Sequence, residues 1–138
     1  MTSTFFTDRD LGNSFPAILR DAGLTVERHA DHFAPDERDE DWLAEVARRQ
    51  WVALTHDRRI RYEPNKLDTV RRTRARLLIL VGKASTRNLA RSFVNTIGRV
   101  EAYLEGRTPP LIAKVYRPSP KQLERDPGAP GRVEHWYP

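Results

Sequence analysis

Asp8, Asp39 and Asp57 are the residues around which chemistry could gather. Asp8 closes the apolar run Phe5-Phe6-Thr7, and Asp57 follows Trp51-Val52-Ala53-Leu54-Thr55-His56. Asp39 opens a segment whose apolar residues Trp42, Leu43, Val46 and Ala47 recur at helical spacing. Asp10 and Asp41 lie two residues beyond Asp8 and Asp39. Carboxylates brought together repel and need a neutralising charge. Mg²⁺ or Mn²⁺ supplies it well, because hard divalent ions prefer oxygen ligands and Mg²⁺ leaves positions open for water or a phosphate oxygen. Such an ion can lower the pKa of a bound water and polarise a phosphodiester. Asp8, Asp39 and Asp57 are therefore the candidate catalytic residues, and together with Asp10 and Asp41 the candidate metal ligands. Each has a plainer alternative: a helix cap for Asp39, turn residues for Asp8-Arg9-Asp10, a surface pair with Arg58 or Arg59 for Asp57.

The acids matter only if the fold brings them to one place. Phe5 to Asp8 reads as a short buried strand. Asn13 caps a helix carrying Phe15, Ile18, Leu19 and Ala22, with Gly23 at its end. Leu24 to His29 is a second strand, Ala30 to Arg38 a polar loop, and Asp39 begins the next helix. Trp51 to Thr55 is the third strand, and Pro64 suits the first turn of another helix, with Leu67 and Val70 facing inward. Arg76 to Gly82 is apolar without alternation, as a strand covered on both faces should be. Leu89, Phe93, Ile97, Val100 and Leu104 form one stripe of a helix from Thr86 to Glu105, and Leu111 to Tyr116 is a fifth strand. Strands alternate with helices, which predicts a three-layer α/β/α domain with a central, mostly parallel five-stranded sheet over residues 1–117. In such sheets ligands bind beyond the carboxyl ends of the strands, the edge that Asp8, Asp39 and Asp57 share. Residues 118–138 are rich in proline and read as a separate extended tail, disordered or draped over the body.

Charge adds a second theme. The net charge is +5 over 138 residues, almost all of the positive charge being arginine, which contacts phosphate in a bidentate manner. Between Glu27 and Glu45 eight acids stand against two arginines, and between Arg58 and Arg76 eight bases stand against two acids. One segment can gather cations and the next a polyanion, or the two faces can pair with each other. Arg58, Arg59 and Arg61 are the candidate backbone-holding residues for RNA, with His56 and Lys83 as further phosphate contacts. The absence of cysteine removes disulfides, thiolate zinc sites and cysteine nucleophiles. His29, His32, His56 and His135 show no metal-ligand spacing, and His29 and His32 read as solvent-exposed. No GxGxxG, Walker A or GxSxG motif is present. No apolar run approaches membrane-spanning length and the first residues lack the pattern of a secretory signal, so the expected location is the cytoplasm.

Phe5-Phe6-Thr7-Asp8-Arg9-Asp10-Leu11-Gly12, Asp39-Glu40-Asp41-Trp42-Leu43 and Trp51 to Ile60, in that order, resemble the PIN-like superfamily. The branch they resemble is that of the compact toxins of VapC-type toxin–antitoxin pairs, over Phe5 to Tyr116. The resemblance implies an endoribonuclease dependent on Mg²⁺ or Mn²⁺ that cleaves RNA phosphodiester bonds with a metal-activated water. It places acids at Asp8, Asp39 and Asp57, and implies a homodimer and an antitoxin protein as partner. One departure stands out: Val81-Gly82-Lys83-Ala84-Ser85-Thr86 carries no acid where the larger enzymes of this kind have one after the fourth strand. Two alternatives remain open. One is a catalytically weak or inactive module that binds RNA or protein. The other is a phosphatase-like hydrolase using Asp8 as nucleophile.

Overall fold

The structure is a computed structural model that describes residues 2–57, 59 and 62–138. Six strands are present: β1 (Thr4–Thr7), β2 (Thr25–Arg28), β3 (Val52–Thr55), β4 (Arg76–Val81), β5 (Leu111–Tyr116) and β6 (Arg132–Tyr137). The helices are α1 (Ser14–Asp21), the single turn α2 (His29–His32), α3 (Asp39–Arg48), α4 (Pro64–Thr73), α5 (Thr86–Glu105) and α6 (Pro120–Arg125). The strands form one sheet in the order β2-β1-β3-β4-β5-β6. The first five are mutually parallel, and β6 runs antiparallel to β5. This is the expected α/β/α sandwich with one strand more than predicted.

The chain leaves β1 toward β2 on one side and reaches β3 on the other, so the strand order reverses at β1. Right-handed crossovers in the two directions put helices on opposite faces. On one face α1 and α5 enclose Phe5, Phe15, Leu54, Leu78, Leu80 and Phe93. On the other α3 and α4 enclose Phe6, Trp42, Leu43, Ala53, Val70 and Leu77. Phe5 and Phe6 are both fully buried, because adjacent strand residues point to opposite faces and both faces are covered. Each contributes roughly 2 kcal/mol of burial and together they lock β1, the strand that delivers Asp8, at the centre of the sheet.

The sixth strand comes from the segment read as a tail. Ser119 and Gln122 make a reciprocal capping box at α6. The chain then turns at Pro127 and Gly128 and enters β6 past Gly131, whose missing side chain is what allows the approach: a Cβ there would lie 1.6 Å from the carbonyl oxygen of Tyr116. Gly131 N–H donates to Thr96 Oγ1 at 2.9 Å, which ties the start of β6 to α5. A second difference is local. The strand predicted to run to His29 stops at Arg28, and His29 enters α2. His29 is not solvent-exposed but 2% accessible, packed among Phe6, Phe33 and Trp42, and His32 is half-buried against Trp51. No helix among the described residues is long and apolar enough to cross a membrane.

Candidate active site

The reversal of strand order at β1 opens a crevice beyond the carboxyl ends of β1 and β3, the usual ligand position in doubly wound sheets. Asp8 is the first residue past β1, and its N–H still donates to Leu54 O at 3.0 Å, so the backbone that carries it belongs to the sheet. Its Oδ1 accepts from Arg9 N–H at 2.8 Å, which starts a 3₁₀ turn over Arg9–Leu11. That turn folds Asp10 back toward the end of β3. Thr55, the last residue of β3, donates its hydroxyl to Asp8 Oδ2 at 2.9 Å and more weakly to Asp10 Oδ2 at 3.4 Å. His56 N–H reaches the same Asp10 oxygen at 3.1 Å. One threonine hydroxyl thus holds two carboxylates together.

The electrostatics follow from that placement. Burial, then the charge of Asp10 and less strongly that of Asp39, push the Asp8 carboxyl up to about 7, against the opposing hydrogen bonds from Thr55 and Arg9. Asp10 is an exposed residue whose carboxylate leans inward. Desolvation of that carboxylate raises its pKa with help from the charge of Asp57, while His56 and Thr55 counteract. No basic side chain among the described residues forms an ion pair with Asp8 or Asp10.

The other predicted acids have partners of their own. Asp39 does not cap α3; Arg38 occupies that position and no side chain caps the helix. Its Oδ1 accepts from Trp42 Nε1–H at 2.9 Å and its Oδ2 meets Lys66 Nζ at 2.8 Å. Asp57 is held by Arg59, through the backbone N–H at 3.0 Å and the guanidinium at 3.0 and 3.2 Å, and the guanidinium contact holds its carboxyl below the usual range. Asp41 points to solvent and pairs with Arg38 at 3.2 Å, away from the other acids. Asp8 and Asp10 therefore form the centre, with Asp39 and Asp57 near enough for their charges to be felt and Asp41 outside.

The phosphate-contact candidates are divided. Arg58 and Arg61 lie outside the described residues. His56, Asp57, Arg59, Gly82 and Lys83 line a cavity of about 390 Å³ beyond the ends of β3 and β4. His56 Nε2–H donates to Gly82 O at 2.9 Å, which bridges the two strand ends and fixes the wall of the cavity. Thr55 is the functional residue that sequence reasoning passed over. Its position as the last residue before the His56-Asp57 pair was the available signal.

The donor set bears on the implied cation. Among the described residues no three His, Cys, Asp or Glu side chains are gathered to hold a metal ion. Two carboxylates and a hydroxyl are gathered, all hard oxygens, and burial foremost raises the pKa of each carboxyl, so that a cation beside them would favour the ionised form. These residues fit an ion held by two carboxylates and completed by water, as Mg²⁺ often is.

The chain is a doubly wound α/β/α domain with paired acids at its switch point, and the family it matches, PIN-like, is a nuclease-type fold. The family model for the PIN-like domain matches residues 3–82, more than half of the chain and the whole path from β1 to the end of β4, and the chain belongs to that family. No curated protein and no solved structure matches it.

Proposed function

We propose that this protein is a metal-dependent endoribonuclease whose reaction centre is the Asp8–Asp10 pair. The observation that carries the proposal is the pair itself: two carboxylates held on one threonine hydroxyl at the switch point, both with raised pKa and neither with a basic partner among the described residues. A protein gains no stability from that arrangement, whereas a cation site requires it. Asp8 and Asp10 would hold Mg²⁺ or Mn²⁺, which when bound would supply Lewis-acid polarisation of the phosphodiester. Thr55 and Arg9 N–H orient the carboxylates of this centre. Lys83, Arg59 and His56 line the adjoining cavity and give it the positive charge to seat an RNA phosphate. Asp57 positions Arg59 there through its bidentate contact. The role as the toxin of a toxin–antitoxin pair rests on the order of the acid motifs alone.

One observation favours a second reading, a module that binds RNA without cutting it. Asp39 and Asp57 already carry basic partners, and the segment Val81 to Thr86 after β4 holds no acid to complete a larger metal site. Cleavage separates the two. A fluorophore–quencher RNA incubated with the protein and Mn²⁺ is expected to be cut, EDTA to stop the reaction, and Asp8→Asn to lower the rate at least a hundredfold while RNA binding survives. RNA bound but left intact with Mn²⁺ refutes the catalytic reading, and cleavage undiminished by EDTA or by Asp8→Asn refutes the metal centre at Asp8.

A further inference from the structure

Lys66 sits in the first turns of α4, where Pro64 starts the helix, and points across to the start of α3. Its ammonium lies 2.8 Å from Asp39 Oδ2 and 2.8 Å from Glu63 Oε2, with the lysine side chain only 15% exposed. Burial presses the ammonium to lose its proton, and the two carboxylates outweigh that pressure, so its pKa is raised and it stays charged. Its field also reaches Asp57, where it adds to the larger effect of Arg59. The other Asp39 oxygen is taken by Trp42 Nε1–H at 2.9 Å. Asp39 is therefore engaged at both oxygens from inside the fold, one by a nearly enclosed cation. Among the described residues, Asp8 and Asp10, on the same rim, receive a hydroxyl and backbone N–H groups and no basic side chain.

The difference has a chemical consequence. A carboxylate attracts a divalent ion through its unneutralised charge and its free lone pairs, and Asp39 has given up much of both. An ammonium held 2.8 Å from two acids at a part-buried position is not displaced cheaply, since parting it from Asp39 leaves two partly desolvated charges uncompensated. We infer that Lys66 is a built-in cation of the acidic rim: it holds Asp39 away from divalent ions and so limits how tightly the site formed by Asp8 and Asp10 binds them. The inference rests on the proposed cation site at Asp8 and Asp10, and it makes that site a two-carboxylate one by design of α4 rather than by lack of acids.

The test is calorimetric titration of EDTA-stripped full-length protein with Mn²⁺ in a double-mutant cycle over Lys66→Met and Asp39→Asn. Methionine keeps most of the stem volume and removes the charge. Lys66→Met is expected to tighten Mn²⁺ binding about tenfold or to add a second ion, and the gain is expected to fall below about threefold in the D39N background, because a close ion pair of this kind dominates the local field. Lys66→Arg, which retains the cation and serves if the methionine variant does not fold, is expected to bind within about threefold of wild type. An equal gain in both backgrounds means that Lys66 acts only as a distant charge and overturns the inference, as does no gain at all or a tenfold gain from Lys66→Arg. Mn²⁺ binding that K66M leaves unchanged overturns this inference alone. No binding by either the wild type or K66M overturns the cation site at Asp8 and Asp10 together with it.

Discussion

Asp8→Asn makes the metal-free protein more stable at pH 8, although it removes the residue most central to the site. The Asp8 carboxyl stands at about 7 in the fold against an unperturbed 3.8. Between those values the folded chain keeps a proton that the unfolded chain has lost. Stability therefore falls as pH rises through that window, and the penalty is complete above about 7. At about 1.4 kcal/mol per unit, the gap is worth up to about 4 kcal/mol. An amide escapes the penalty and fits the same bonds: its Oδ1 accepts from Arg9 N–H, and its Nδ2 donates to Thr55 Oγ1, which leaves that hydroxyl to donate to Asp10. Urea melts in EDTA at pH 5, 6.5 and 8 measure the outcome. The variant is expected to lead wild type by about 1.5 kcal/mol at pH 5 and to gain steadily, reaching about 4 kcal/mol at pH 8, or on the order of 10 °C in melting temperature for a domain of this size. A stability difference that does not change with pH, or a variant less stable than wild type at pH 8, refutes the argument that burial and the charge of Asp10 strain this carboxylate.

Two further predictions concern the rim and the last strand. Lys83→Ala, which removes a positive charge from the cavity beside His56 and Arg59, is expected to weaken RNA binding evenly across sequences and to reduce the salt slope of log K by roughly 0.7, as read by fluorescence anisotropy at several salt concentrations; an unchanged slope removes Lys83 from the phosphate path. Gly131→Ala drives a Cβ to within 1.6 Å of Tyr116 O. It is expected to cost roughly 3 kcal/mol or more, seen as a large drop in melting temperature; a drop of less than about 2 °C shows that β6 is not needed to close the sheet.

The fold was legible in the sequence wherever burial alone decided the pattern. The unbroken apolar run Leu77 to Val81 has no reading other than a strand covered on both faces, and the stripe from Leu89 to Leu104 has none other than a long helix on one of them. β6 was hidden because it is an edge strand. Arg132, Glu134 and Trp136 alternate with Val133, His135 and Tyr137, a sequence too polar to stand out, and what docks it is the approach of Gly131 to Tyr116, a tertiary fact with no local signature. The proline content that suggested a free tail instead supplies the start of α6, where Pro120 follows the Ser119 cap. His29 was misread for a related reason: a histidine beside a polar loop looks exposed, and only the convergence of Phe6 from β1, Trp42 from α3 and Phe33 from the end of its own turn buries it.

At the site, topology told which edge the acids share, and pairing told which of them matter. Strand ends place Asp8 and Asp57 on the rim, but spacing says nothing about the 3₁₀ turn that swings Asp10 back to Thr55. The opposed charge runs were also ambiguous in sequence, and the structure divides them by range. Arg28–Asp31, Arg38–Asp41 and Arg71–Asp68 are surface pairs three residues apart, screened by water, and they spend charge within a single run. Lys66–Asp39 crosses from the basic run to the acidic one at a nearly enclosed position. That contact changes which acids are available for chemistry, whereas the local pairs change only the surface. Asp8 and Asp10 belong to neither run. What sets them apart is burial side by side: desolvation raises the pKa of both carboxyls, and no basic side chain among the described residues forms an ion pair with either.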